Sequence, residues 1–190
     1  MRRVVAVAGF TISLLLGLAL ATLVILLATG TLKAYAIPSP AMEPTLHCAR
    51  PGSGCLASQN DRVLVLTLAF YDRRDLVVFD APPEAARKCG AGGTYVKRIV
   101  GLPDEGIELR PVAGRDQTFV NGEQLEEPYV LDPRRASRAR AWVLSSGSYL
   151  VLGDNRANSC DSRVWGPLPT DDLKGKVVAT YWPPGRITIR

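Results

Sequence analysis

The stretch from Val4 to Leu32 contains no charged residue and consists mainly of valine, leucine, isoleucine, alanine and glycine. A transmembrane helix needs about 20 apolar residues, whereas the apolar core of a cleavable signal peptide has about 7–15. The stretch therefore predicts a retained single-pass anchor, residues 1–32, followed by an extracytoplasmic domain, residues 33–190. Arg2 and Arg3 precede the stretch and favour a cytoplasmic N-terminus.

One alternative to a retained anchor stays open. Ala34-Tyr35-Ala36 has the A-x-A pattern that processing enzymes recognise, so the chain could instead be a secreted domain released after Ala36. A mature N-terminus between Tyr35 and Ile37 would show that the apolar stretch is removed. The length of the stretch favours the anchor.

Charge limits the choice of partners. The chain has 23 basic and 18 acidic residues, a net charge of +5, and two of the basic residues are Arg2 and Arg3. So mild an excess, without a basic run interleaved with aromatic residues, argues against nucleic acid as a partner and fits a weak attraction to anionic lipid head groups. We interpret the densest basic segment as a solvated loop; it contains Arg134, Arg135, Arg138 and Arg140.

Four cysteines lie beyond the predicted anchor: Cys48, Cys55, Cys89 and Cys160. Outside the cytoplasm an even number of cysteines predicts disulfides, and four cysteines allow three pairings. We favour a local Cys48–Cys55 bridge, because these two residues enclose a short Pro/Gly-rich segment; Cys89 then pairs with Cys160. The other two pairings stay possible. A zinc site is not expected, since the sequence has no C-x-x-C pair and His47 is its one histidine.

Beyond the anchor the sequence predicts short strands separated by proline and glycine, with no further helical periodicity. The predicted strands are Val63–Leu66, Asp75–Phe79, Thr94–Val100, Gly106–Leu109, Thr118–Val120, Ser148–Leu152, Lys176–Trp182 and Arg186–Arg190. Asn121-Gly122 predicts a hairpin turn, because both residues tolerate a positive φ. The pattern is typical of a mainly β, antiparallel sandwich or barrel-like domain. We expect Glu126 to Arg140 to form a long, mobile loop.

Lys97 is the candidate base for catalysis. His47 lies near the cysteine-bracketed loop and is interpreted as a surface residue, and the acidic residues are scattered through turns. Alternate side chains of a strand share a face, so Tyr95, Lys97 and Ile99 point the same way. Apolar neighbours desolvate the ammonium group and lower its pKa. Taken by itself, the pattern also fits a strand lysine whose ammonium group reaches solvent.

Four segments resemble those of bacterial type I signal peptidases, which use a serine/lysine dyad. In chain order they are Ile37–Leu46 (IPSPAMEPTL), Asn60–Val65 (NDRVLV), Tyr95–Pro103 (YVKRIVGLP) and Gly153–Arg163 (GDNRANSCDSR). Each match is weak by itself, but four matches in the family order behind an N-terminal anchor are specific. The resemblance implies a membrane-bound serine endopeptidase that removes signal peptides from exported pre-proteins.

The resemblance also implies roles for single residues. Lys97 would be the general base, Ser159 would hydrogen-bond its amine, and the Ser39 hydroxyl with the backbone N–H of Ala41 would stabilise the oxyanion. The residues that would line an apolar cleft for small substrate side chains are Pro38, Met42, Pro44 and Tyr95. The residues that would support the site are Asp154, Asp161 and Arg163. The last two either form an ion pair or belong to a simple turn.

The family nucleophile is the serine before the methionine of the first segment, and this chain has Ala41 there. Loss of the nucleophile can lower the turnover of a serine protease about a millionfold, so we predict an inactive chain. Ser39 could replace the missing nucleophile only by giving up its role in stabilising the oxyanion. The alanine fits either an introduced serine-to-alanine change or a natural pseudo-enzyme. The rival function is a non-catalytic, membrane-anchored β module that binds exported chains or assembly partners.

The resemblance further implies where and with what the protein works. A monomer would sit in the plasma membrane, with the apolar surface around its cleft resting on membrane lipid. Its partner would be the signal-peptide region of exported pre-proteins. Serine/lysine chemistry needs no metal and no organic cofactor.

Overall fold

The structure is a computed structural model that describes residues 2–49, 54–90, 92–131 and 139–190. It begins with helix α1, Arg2–Ala28. The segment Thr11–Ala28 has a mean hydropathy of 2.6, and none of it is buried against the rest of the protein. This helix is long and apolar enough to cross a membrane, as the uncharged stretch predicted.

Helix α1 ends before the predicted boundary at Leu32. Gly30 has a φ of 71°, a left-handed conformation that ends helices and suits glycine, and its N–H donates to the Leu27 carbonyl at 3.2 Å. Leu32 then begins strand β1, Leu32–Ala36. The predicted end of the helix was therefore too late, because apolar composition alone does not separate the end of a helix from the apolar residue, here Leu32, that begins the next strand.

The strands of the described chain form two antiparallel sheets. The other strands are β2 (Arg62–Leu66), β3 (Leu76–Asp80), β4 (Thr94–Gly101), β5 (Gly106–Val112), β6 (Arg115–Val120), β7 (Glu123–Gln124), β8 (Arg140–Val143), β9 (Ser148–Leu152), β10 (Leu168–Pro169), β11 (Leu173–Trp182) and β12 (Thr188–Ile189). The first sheet has the order β1-β2-β11-β3-β4-β9-β10, with β12 paired to β11, and the second has the order β7-β6-β5-β8. The mainly β, antiparallel class predicted from the sequence is confirmed.

Each of the eight predicted strands is present, but β1, β7, β8 and β10 were not predicted. Only Leu32 of β1 lies in the predicted anchor, and only Arg140 of β8 lies in the predicted loop Glu126–Arg140. A short helix α2, Pro83–Cys89, contradicts the expectation that helices end with the anchor; at seven residues it is too short to show helical periodicity. A second short helix, α3, spans Ser162–Trp165.

The predicted hairpin turn is also present. Asn121 and Gly122 have φ values of 50° and 89° and connect β6 to β7. Of the predicted loop Glu126–Arg140, residues 132–138 lie outside the described residues. These include Arg134, Arg135 and Arg138.

Strand β4 contributes to all three buried hydrophobic clusters. Val96 packs against a cluster formed by β2, β3, β11 and the segment after β1. Ile99 belongs to a cluster with β3, β9 and β10, and Val100 to a cluster shared with β5 and β9, between the two sheets. Because close-packed interiors leave side chains little freedom, residues on β4 have fixed positions.

Gly101→Ala should destabilise the junction of the two sheets. A Cβ at Gly101 would lie 2.6 Å from Ile107 Cγ1 and 2.8 Å from Leu144 Cδ1, so overpacking should lower the free energy of unfolding by about 1–3 kcal/mol. Gly147→Ala is the matched control, since a Cβ there meets nothing within 4 Å; it should change stability by less than about 0.5 kcal/mol. Urea unfolding of the full chain in detergent measures both. Equal effects would contradict the close packing at Gly101.

Candidate active site

One groove collects most of the residues predicted for the site. It has a volume of about 560 Å³ and lies between the segment 35–42 and the first half of β4. The predicted residues that line it are Pro38, Ser39, Ala41, Met42, Tyr95 and Lys97. Asn158 and Cys160, the neighbours of Ser159, line it as well. Pro44 is exposed and lies outside this lining, because the chain turns away from the groove after Met42.

Ala41 lies in a short 3₁₀ turn, Pro40–Met42, which begins with proline. Proline suits the start of a helix because it has no N–H that would lack a partner there. Asn155 holds this turn in place. Its backbone N–H donates to the Ala41 carbonyl at 3.1 Å, and its Nδ2 donates to the Pro40 carbonyl at 3.1 Å. The N–H of Ala41 belongs to the first turn, where such groups have no partner within the helix. Ser39 is exposed just before the turn, and its side chain does not cap it.

Lys97 is almost completely buried. Only 4% of its surface is exposed, and Nζ lies 5.3 Å from the centre of the Tyr95 ring. Burial lowers the pKa of the Lys97 ammonium from 10.5 to about 8; the carboxylates of Asp161 and Asp154 oppose this lowering, and the charge of Arg163 adds to it. Such a lysine is partly neutral near pH 7–8 and can accept a proton.

Ser159 lies beside the groove without its predicted contact. Its Oγ is buried and has no hydrogen-bond partner in the described part of the chain, so the expected hydrogen bond to Lys97 is not formed in this structure. Gly153 allows Ser159 and Ala41 to approach each other. A Cβ on Gly153 would lie 2.5 Å from the Ser159 Cβ and 2.6 Å from the Ala41 carbonyl oxygen. Any side chain at residue 153 would therefore push these two segments apart.

Asp161 and Arg163 form an ion pair that fixes the loop just after Cys160. Arg163 donates through Nε and Nη2 to the Asp161 carboxylate, at 2.8 Å each, and the Gly153 N–H donates to it at 3.0 Å. Burial raises the pKa of Asp161, but the hydrogen bond and charge of Arg163 outweigh burial and hold the pKa below its usual value of 3.8.

Asp154 is bound by Arg98, the strand neighbour of Lys97. Arg98 Nε and Nη2 donate to the two carboxylate oxygens at 2.8 and 2.5 Å, and the Thr45 hydroxyl donates at 2.5 Å. The Arg98 guanidinium also stacks 4.0 Å from the centre of the Tyr129 ring. Strand β4, the loop after β9 and the segment after Met42 are thereby joined. No role had been assigned to Arg98 from the sequence. Its position as a charged residue on an otherwise apolar face of its strand was the signal that could have indicated a buried ion pair.

The network behind Met42 was not apparent from the sequence. Glu43 is fully buried and accepts hydrogen bonds from the backbone N–H groups of Cys48 and Leu56 at 3.1 and 3.0 Å. It also contacts His47 Nδ1 at 2.5 Å. The side chain of His47 is 23% exposed, so this histidine is partly buried and paired, where a surface residue was expected. The four-residue spacing of Glu43 and His47 was the available signal.

The disulfides follow the favoured pairing. Cys48 is bonded to Cys55, with 5.1 Å between their Cα atoms, and Cys89 to Cys160, with 6.3 Å. Among the residues that the structure describes, no group of three or more histidine, cysteine, aspartate or glutamate side chains could hold a metal ion.

Known proteins match this chain along most of its length. The family model described as "Signal peptidase, peptidase S26" matches residues 3–182. The chain belongs to this signal peptidase family. Its members are serine peptidases that cleave signal peptides, which agrees with the four segments on which the resemblance was based.

Individual signal peptidases are similar over different shares of their length. The probable signal peptidase I-2 of Synechocystis is 35% identical over 90% of this chain and 74% of the relative. Signal peptidase IB of Staphylococcus aureus is 30% identical over 78% of this chain and 77% of the relative. Thylakoidal processing peptidase 1 of Arabidopsis thaliana is 33% identical over 88% of this chain, which matches 47% of that longer protein. A crystal structure of a signal peptidase I from Enterococcus faecalis has a TM-score of 0.45 and 27% identity, covering 57% of this chain and 97% of that one.

Lys97 should titrate near pH 8. In a chain labelled with ¹³C at lysine, one Cε resonance should shift with a midpoint of about 8 and should be missing from Lys97→Met. The pKa in the folded state lies below the unfolded value, so the unfolded state binds more protons between pH 8 and 10.5. The stability of the chain relative to Lys97→Met should therefore rise across this interval. A Lys97 resonance with a midpoint near 10.5 would contradict the effect of burial.

Asp161→Asn should lower the free energy of unfolding by about 3–5 kcal/mol at pH 7, because it leaves the charge of Arg163 buried without its partner. The folded pKa of Asp161 lies below 3.8, so the stabilisation is present above that pH and is lost as the pH falls through the folded value. The difference between the two chains should therefore shrink in acid. Glu84→Gln, which breaks the exposed pair with Arg87, is the control and should cost less than about 1 kcal/mol. Denaturant unfolding at pH 7 and pH 3 measures the stability of both variants. If Asp161→Asn and Glu84→Gln lost equal stability at pH 7, the ion pair of Asp161 would not behave as a buried one.

Proposed function

We propose that this protein is a signal peptidase of the serine/lysine type in which Ala41 replaces the nucleophile, so that the chain as written does not cut. Lys97 carries the proposal: it is 4% exposed, has a pKa of about 8, and lines the same groove as Ser39 and Ala41. A lysine base needs a lowered pKa to work near neutral pH, whereas a structural lysine does not.

With a serine at residue 41, the reaction would use groups that are already in the groove. Neutral Lys97 accepts the hydroxyl proton while the serine oxygen adds to the substrate carbonyl. The resulting oxyanion accepts hydrogen bonds from the Ser39 hydroxyl and the backbone N–H of residue 41, and one such donor is worth about 3–4 kcal/mol. Lys97 then gives its proton to the leaving amine. In the second half it takes a proton from the water that adds to the acyl group, and returns it to the serine oxygen as the acyl–serine bond breaks. Ser159 would orient the Lys97 amine.

The substrate would be the signal-peptide region of an exported pre-protein in an extended conformation. Strand β9 pairs with β4 from Arg98 onward, so no described strand pairs with that edge of β4 at Val96 and Lys97, where it lines the groove. An extended peptide can add to an open strand edge through backbone hydrogen bonds. The apolar lining, which includes Pro38 and Met42, suits small side chains at the third and first positions before the cut.

The domain of residues 33–190 would work as a monomer at the outer face of the plasma membrane, with the N-terminus in the cytoplasm. Leu68 and Phe70 are 77% and 94% exposed, and the adjacent Thr67 N–H donates to the Thr31 carbonyl at 2.9 Å, close to the end of α1. Apolar side chains exposed beside an anchor favour contact with lipid. Release after Ala36 is disfavoured, because it would remove β1 from its pairing with β2.

Binding without cleavage is the second candidate function, and Ala41 favours it. The methyl group leaves the groove and the open edge of β4 in place, so the chain can hold a signal peptide that it does not cut. The pKa of Lys97 distinguishes between catalysis and binding. A module built for binding alone has no need of a buried lysine with a lowered pKa, which is typical of catalytic sites.

Ala41→Ser tests the proposal. In detergent, this variant should cut a synthetic pre-protein after an A-x-A sequence, about a millionfold faster than the unsubstituted chain, as measured by mass spectrometry. Its kcat should rise as the pH passes through about 8, since the neutral form of Lys97 is the active one. Ala41→Ser combined with Lys97→Met is the control and should be inactive. If Ala41→Ser cuts nothing under conditions where another signal peptidase works, binding becomes the function of this fold.

A further inference from the structure

Building on the proposed function, we propose that the Cys89–Cys160 disulfide is a wall of the substrate groove and restricts the size of the side chains that fit there. Cys89 is the last residue of α2, and Cys160 directly follows Ser159. Both cysteines line the groove together with Ala41 and Lys97. The bond joins two segments that are 71 residues apart in sequence, so no local turn can replace it.

The loop that contains Ser159 is firmly held on one side of Cys160 and weakly on the other. On the C-terminal side, Asp161 is bound by Arg163 and by the Gly153 N–H, and the Ser162 Oγ accepts the N–H of Val151 at 3.0 Å.

On the N-terminal side of Cys160, the contacts are few. Asn158 is exposed, and its N–H donates only within the loop, to the Asn155 carbonyl at 3.0 Å and to the Asn155 side chain at 3.2 Å. The Ser159 carbonyl accepts one long hydrogen bond from Arg163, at 3.4 Å, and the Ser159 Oγ has no partner within the described ranges. The covalent bond at Cys160 is therefore the main restraint on the part of the loop that faces the groove.

The C-terminal end of α2 depends on the same bond. The helix has seven residues and no side-chain hydrogen bond at its N-terminus, and helices of this length are marginal without tertiary contacts. Gly90 and Gly93, with φ values of 72° and 95°, lie between α2 and β4 in conformations that glycine adopts without strain, and the Gly93 carbonyl accepts the Ala81 N–H at 2.8 Å. The body of the helix is held by the buried Ala85, and a further contact near its end is an exposed 3.1 Å hydrogen bond from Lys88 Nζ to the Val164 carbonyl.

Opening the bond should therefore widen the groove and leave the sheets intact. None of the three hydrophobic clusters contains Cys89 or Cys160, whereas both cysteines form part of the groove lining. A groove that discriminates by fit loses selectivity when its wall can move, since one methylene group in a tight apolar pocket changes kcat/KM by about 10–200-fold. Substrates with a larger side chain before the cut should gain most.

The test compares two disulfide variants in the Ala41→Ser background. The substrates are two peptides with alanine or leucine at the third position before the cut. Removing the groove disulfide with C89A/C160A should lower the alanine-to-leucine ratio of kcat/KM by at least about tenfold. C48A/C55A is the matched control, because that bond closes a local loop and lies outside the groove lining; its ratio should not change. Circular dichroism of both variants verifies that the sheets are retained.

Reduction provides a second route without substitutions in the groove. In the Ala41→Ser chain that also carries C48A/C55A, dithiothreitol opens the Cys89–Cys160 bond alone, and reoxidation should restore the alanine-to-leucine ratio. An unchanged ratio, or equal losses in the two disulfide variants, would overturn the proposal.

If Ala41→Ser cuts neither peptide, the proposed function fails separately. The unsubstituted chain then decides the inference: its preference for binding the alanine peptide should fall when the bond is opened, and a constant preference would overturn it.

Discussion

The ammonium group of Lys97 is buried on β4, the strand on which three hydrophobic clusters converge. Burial disfavours the charged form, and the carboxylates of Asp161 and Asp154 compensate only in part. Each of them is already bound by an arginine, Asp161 by Arg163 and Asp154 by Arg98. The lysine is therefore left with a pKa of about 8, and the positions of these charges depend on the packing of β4.

The loop after β9 connects this lysine to the rest of the protein. Asp154 binds β4 through Arg98, and Arg156 binds Glu127, next to the second sheet, at 2.5 Å. Asn155 lies between them and holds the turn of Ala41. Buried ion pairs are a weak source of net stability, but breaking one is costly, so the first part of this loop, residues 154–156, has little freedom to move. The close approach at Gly153 then sets the spacing between Ser159 and residue 41.

Most of the fold was predictable because its strands are marked locally. Runs such as Val63–Leu66 and Ser148–Leu152 are apolar and are bounded by turn residues, which is how buried strands read in a sequence. Strand β1 was hidden by the apolar anchor before it, and α2 by its seven-residue length. In the site, the family pattern led to Lys97 and residue 41. It also suggested Pro44, which the structure leaves outside the groove.

The sequence by itself determined the apolar N-terminal helix, the antiparallel β class, the signal peptidase family and the alanine at residue 41, because each depends on residue identity or local order. The tertiary structure decided the rest. Four features depend on which residues surround a group in the folded chain. They are the lowered pKa of Lys97, the buried Ser159 Oγ that has no partner in the described chain, the burial of Glu43 with His47, and the place of Cys89–Cys160 in the groove lining. Desolvation and hydrogen bonding depend on those surroundings, which local sequence does not specify.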